Sequence, residues 1–146
     1  LLLFWLELKR RSEDEKCAEK ELKYCYTLEH IMPQKWQEFW PVYNPVVKDE
    51  NGQDITDGET AEEMRSVAVY EIGNMALLVS SLNTSIRNYE FKRKMEGEGR
   101  KAGVKKYDYL LYTKDITALY DKGDIWDETK IHNRTRQLTD EILKMW

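Results

Sequence analysis

Residues 24–34 read YCYTLEHIMPQ and residues 72–79 read IGNMALLV. The reading of these two stretches decides the fold. In the first, aromatic and branched side chains run up to Pro33, the signature of a short strand that ends in a turn. In the second, Gly73 breaks what precedes it. The apolar run Met75 to Val79 then has the length and composition of a buried strand.

Working outward, Thr60 to Tyr70 places Met64, Val67 and Ala68 on one face and predicts a helix. The polar stretch 48–58, with two glycines, is a surface loop. From Ser81 a helical pattern resumes through SLNTSIRNYEFKRKMEG. Gly97, Gly99 and Gly103 then mark a flexible basic loop. Two more helices are expected at Thr113–Asp121 and Asp127–Trp146, the last with Asp127 as N-cap. At the other end, Leu3, Trp5, Leu6 and Leu8 start a helix that the charged residues after it carry to about Leu22. The expected class is α+β, mostly helical, in one domain over residues 1–146, with its core motifs between residues 24 and 96. The chain opens on Leu, which suits a fragment of a longer protein.

Composition narrows the function classes. Of 146 residues, 41% are hydrophobic and 34% charged. The longest apolar run, Leu1 to Leu6, is far short of the ~20 residues a membrane span needs. Five Trp and nine Tyr argue against disorder. Two cysteines, Cys17 and Cys25, exclude a disulfide framework and a four-cysteine zinc site. With no signal-peptide pattern, a reducing, cytoplasmic compartment is expected. The net charge of −4 hides an asymmetry. Lys48–Glu63 holds seven acids and one base; Arg87–Lys106 holds eight bases and three acids. Such a basic run suits a polyanionic partner, although a solvated helix face has the same composition.

Histidine is scarce. His132 lies in a charged helical stretch and reads as a surface residue. His30 stands at the end of a strand beside a carboxylate, Glu29. Gly73-Asn74, a short apolar strand and Asn83 at the start of a basic helix follow later. A neutral imidazole can activate water for phosphodiester hydrolysis. Carboxylate and amide oxygens suit a hard cation such as Mg²⁺. A basic helix beside it would hold a DNA backbone.

Thr27-Leu28-Glu29-His30-Ile31-Met32-Pro33-Gln34, followed by Trp36, resembles the opening motif of the His-Me finger (HNH) nucleases. It is closest to the C-terminal nuclease domain of GmrSD-type, modification-dependent restriction enzymes. Ile72-Gly73-Asn74-Met75-Ala76-Leu77-Leu78, then Asn83, Ser85, Asn88, Phe91 and Lys94, is similar to that family's second motif. Trp126, Ile131, Arg134, Leu138 and Trp146 are similar to its closing helix.

The resemblance implies a small ββα-metal core surrounded by helices. It implies a metal-dependent DNA endonuclease, an effector of phage defence that uses Mg²⁺ or Mn²⁺. His30 would be the general base, with Asn74 bracing the loop between the strands. Glu29 and Asn83 would be metal ligands, and Arg87, Lys92 and Lys94 would face phosphates. Arg134 would either close over the site or be a buried structural arginine. The partners implied are DNA and an N-terminal NTP-hydrolysing domain of the same longer chain or of a partner subunit.

Glu29 departs from the commoner Asp. Neighbouring strand residues point to opposite faces, so Glu29 and His30 share a site only if the strand bends or ends there. Otherwise Glu29 faces solvent or pairs with a base. The acidic loop 41–60 is an insertion, or a lid that repels DNA until a partner domain engages. Two other classes stay open at this point: a non-catalytic DNA- or protein-binding module on a degenerate HNH fold, and a helical interaction domain with a Trp-rich surface.

Overall fold

A computed structural model describes residues 1–86 and 88–145, with residues 83–85 described by their backbone alone. The architecture is α+β, with helices packed around two small antiparallel sheets. The helices are α1 (Leu2–Glu13), α2 (Gly58–Ala68), α3 (Ser80–Ile86), α4 (Phe91–Glu96), α5 (Leu111–Asp121) and α6 (Glu128–Leu143). Strand β1 (Tyr26–His30) pairs with β2 (Met75–Val79), with Glu29 opposite Ala76 and His30 opposite Met75. A second pair, β3 (Gly97–Glu98) and β4 (Lys101–Ala102), forms a tight hairpin.

Strand β2 is sandwiched, which is why it is apolar throughout. Ala76 and Leu78 face a core with Ile31, Trp40, Leu82, Met95, Trp126 and Ile131. Met75 and Leu77 face a second cluster with Leu3, Phe4, Leu6, Leu110 and Leu138. Alternation along a strand delivers successive side chains to these two sides.

Asp57 caps α2 through Thr60 N at 2.9 Å, and Asp127 caps α6 through Lys130 N at 3.0 Å. Each side chain satisfies a backbone N–H that has no partner within its helix.

Three expectations are corrected. Helix α1 stops at Glu13 instead of running to Leu22. Beyond Arg11 the sequence has no apolar stripe to bury, and Lys20 Nζ takes the freed Arg11 carbonyl at 2.7 Å. The pattern after Ser81 forms two short helices rather than one, α4 restarting at Phe91. The glycine-rich basic stretch is the β3–β4 hairpin, not a flexible loop. Gly97 sits there at φ +82°, and a Cβ on it would lie 2.1 Å from the Lys101 carbonyl oxygen. Trp146, expected in the closing helix, lies outside the described residues.

Candidate active site around His30

The end of β1 is held from two sides. On one side stands Asn74, fully buried in the 3-10 turn Ile72–Asn74 that leads into β2. Its Oδ1 accepts from Met32 N at 2.8 Å and from Trp126 Nε1 at 3.1 Å. Its Nδ2 donates to Met32 O at 2.8 Å and Val69 O at 2.9 Å. Its backbone oxygen accepts from Ile31 N at 2.9 Å. The side chain thus has its hydrogen-bonding capacity filled by the scaffold, and the two residues after His30 are fixed in place.

The turn is in turn gripped by α6. Arg134 Nη1 donates to the carbonyls of Gly73 and Met75, both at 2.7 Å, and Gly73 N donates to Thr135 Oγ1 at 3.0 Å. Gly73 leaves no room for a side chain, since a Cβ there would meet the Ile131 carbonyl oxygen at 2.1 Å. Only glycine permits this approach of the turn to α6.

On the other side stands Lys94, fully buried on α4. Its Nζ donates to Glu29 Oε1 at 3.0 Å and to the His30 carbonyl oxygen at 2.8 Å. Burial pulls the Lys94 ammonium down to about 8, against the opposing pull of Glu29. Burial likewise pushes the Glu29 carboxyl up, with Lys94 opposing it. For both partners, loss of solvent outweighs the pairing.

Glu29 therefore turns toward α4, while the His30 ring meets other groups. It lies edge-on to Tyr70, 6.0 Å between ring centres, and its Nε2 is 3.5 Å from Gln34 Nε2. The ring is half-buried. Burial, and behind it the charge of Lys94, hold its pKa below the ordinary 6.5. At neutral pH the imidazole is neutral, the form that accepts a proton.

Residues 1–141 match the family described as the C-terminal domain of GmrSD restriction endonucleases. The chain belongs to this family. The curated proteins and the solved structures contain no match to it.

In this GmrSD C-terminal domain the remaining expected site residues fall in different places. Arg134 is buried and bonded to backbone, and burial pulls its guanidinium down to about 10. Lys94 is interior. Lys92, two residues earlier, is exposed. Arg87 and the side chain of Asn83 lie outside the described residues. Exposed bases continue past Lys92 through Arg100, Lys101, Lys105 and Lys106, with Lys105 paired to Asp121.

A divalent cation needs oxygen donors with capacity to spare. Asn74 has none, and Glu29 already serves a buried ammonium with which, among the described residues, no second carboxylate pairs. Among the described residues no three His, Cys, Asp or Glu side chains converge as a metal site. The described donor set, which lacks the side chain of Asn83, does not fit the implied metal.

Two contacts of this site escape a sequence reading, that of Tyr70 with His30 and that of Trp126 with Asn74. Tyr70 follows α2, and Trp126 reaches Asn74 across 52 positions. The closeness of Tyr70 to the Gly73-Asn74 turn was a usable signal for the first. Nothing local announces the second.

Proposed function

We propose that this domain hydrolyses phosphodiester bonds in DNA as the effector of a phage-defence restriction system, with His30 as general base. One observation carries the assignment of His30. A neutral, half-buried imidazole stands at the end of a strand fixed on both sides, with ring nitrogen Nε2 engaged, among the described residues, only by a long contact to Gln34. That nitrogen can take the proton of a water whose oxygen attacks phosphorus as the bond to the leaving oxygen breaks.

Membership of a restriction-endonuclease family supports nuclease chemistry and DNA as substrate. The order β1, β2, α3, with the helix following β2 directly, supports reading these elements as a ββα (HNH-type) core. Exposed Lys92 and the exposed bases of the β3–β4 hairpin would meet phosphates. Mg²⁺ or Mn²⁺ belongs to the reading through the resemblance alone. Recognition and NTP control are assigned to a preceding domain or partner subunit. A cytoplasmic site goes with such an effector, and no described helix is long and apolar enough to cross a membrane.

The test is plasmid cleavage by purified protein, with and without Mg²⁺ or Mn²⁺, comparing wild type with His30→Ala. Loss of a general base lowers the rate by roughly 10² to 10⁴. Undiminished cutting by the variant would remove His30 from this role.

A further inference from the structure

We propose that Lys94 is an internal positioning residue for His30, with Glu29 as its counterion, rather than a phosphate contact and a metal ligand. The inference rests on His30 being the base, and its geometry is independent of that reading. Lys94 bonds both the side chain of residue 29 and the carbonyl of residue 30. It therefore fixes the peptide that carries the imidazole.

Its own anchorage is rigid. Met95 beside it is fully buried, and Phe91 stacks on Trp126 at 5.8 Å and packs near Trp40 at 6.3 Å. Trp126 also bonds Asn74 at 3.1 Å, so both clamps on His30 share one aromatic core. A neutral donor would satisfy the His30 carbonyl at lower desolvation cost than an ammonium. The side chain is 0% exposed, so no DNA phosphate reaches it without unpacking α4.

Three measurements on Lys94→Met and Glu29→Gln test this. The first is the split of kcat and KM in plasmid cleavage, on protein shown to be folded by circular dichroism. Lys94→Met is expected to lower kcat at least tenfold with KM within twofold. The second is the salt dependence of DNA binding. A lost phosphate contact reduces the slope of log K against log salt by about 0.9; an unchanged slope is expected. The third is Mn²⁺ titration of Glu29→Gln, expected to match wild type. An unchanged kcat in folded Lys94→Met, a slope reduced by one contact, or a Mn²⁺ affinity reduced tenfold in Glu29→Gln would each overturn the proposal. If Lys94→Met does not fold, Glu29→Gln carries the test through the Mn²⁺ titration and the chemical shift of the His30 ring protons. That shift is expected to move, and an unmoved signal counts against positioning. Failure of the base reading shows separately, as undiminished cutting by His30→Ala.

Discussion

Replacing Asn74 by Ala removes four side-chain hydrogen bonds at once: two accepted from Met32 N and Trp126 Nε1, two donated to Met32 O and Val69 O. Met32, Val69 and Trp126 are each at most 1% exposed, so no bulk water replaces the lost partner. At about 1 kcal/mol net per bond the loss is ~4 kcal/mol, and orphaned buried groups raise it toward ~6 kcal/mol. Against a typical stability of ~5–15 kcal/mol, that is a large fraction. Asn74→Asp separates the contributions. It keeps the acceptor oxygen but turns the amide nitrogen into an oxygen facing two carbonyls. A protonated carboxyl repairs one of those contacts, so the folded state favours the neutral acid. The folded pKa is then raised. The stability this gives is present below the unfolded value near ~3.9 and is lost as pH rises through the folded value. Urea unfolding followed by tryptophan fluorescence reads both variants. At pH 7 both variants are expected well below wild type, with Asp alone moving toward wild type at pH 4. A loss below ~1 kcal/mol for Ala, at unchanged m, would refute the accounting.

The pH profile of cleavage has a defined sign. Burial and Lys94 hold the His30 pKa below 6.5, so the acid limb is expected below pH 6.5. By the same linkage, the stability contributed by keeping His30 neutral is present above pH 6.5 and lost as pH falls through the folded value, which acid unfolding of His30→Gln against wild type measures. Lys92→Ala is expected to weaken DNA binding and to reduce the salt slope by about 0.9, read by fluorescence anisotropy at several salt concentrations. Arg65 is fully buried, bonded to Glu128 and to the carbonyls of Trp40, Pro41 and Pro45. Arg65→Met is expected to cost about 3–5 kcal/mol in urea unfolding, because Glu128 keeps a buried charge without its partner.

The strands were legible because their cause is local. Residues 75–79 are apolar without a break, and β1 ends at His30, three residues before Pro33. Asp127 declared α6 for the same reason, since capping depends on the next three residues. Helix α1 was overextended because charged residues favour helix only when an apolar stripe gives the helix something to pack against. The glycines at 97 and 99 were misread because positive φ serves a hairpin turn as readily as a loop. Sequence leaves the partner of Glu29 open between solvent and a base. Lys94 decides it from 65 positions away, and local pattern carries no information about such a pairing.

Hydrogen-bond capacity separates scaffold from chemistry at this site. Asn74 uses both amide atoms on buried partners, and Glu29 holds a cation that pairs with no other carboxylate among the described residues. Arg134 gives one terminal nitrogen to two backbone carbonyls. Asn74 and Glu29 would each have to give up a formed contact before meeting substrate, at a cost of about 1–3 kcal/mol for every buried polar atom left behind, whereas Arg134 keeps its second terminal nitrogen buried and without a partner among the described residues. His30 has no such debt. Its backbone is fixed through its own carbonyl and through the two residues after it, while among the described residues its ring meets Tyr70 and makes a long contact to Gln34. A group fixed in position yet not used up is what general base catalysis needs, because proton transfer demands a set geometry together with a free lone pair. The buried charge of Lys94 adds to both requirements. It holds the backbone in place and disfavours a proton on the ring, so the costly ion pair at the strand end makes sense as a functional feature rather than a stabilising one.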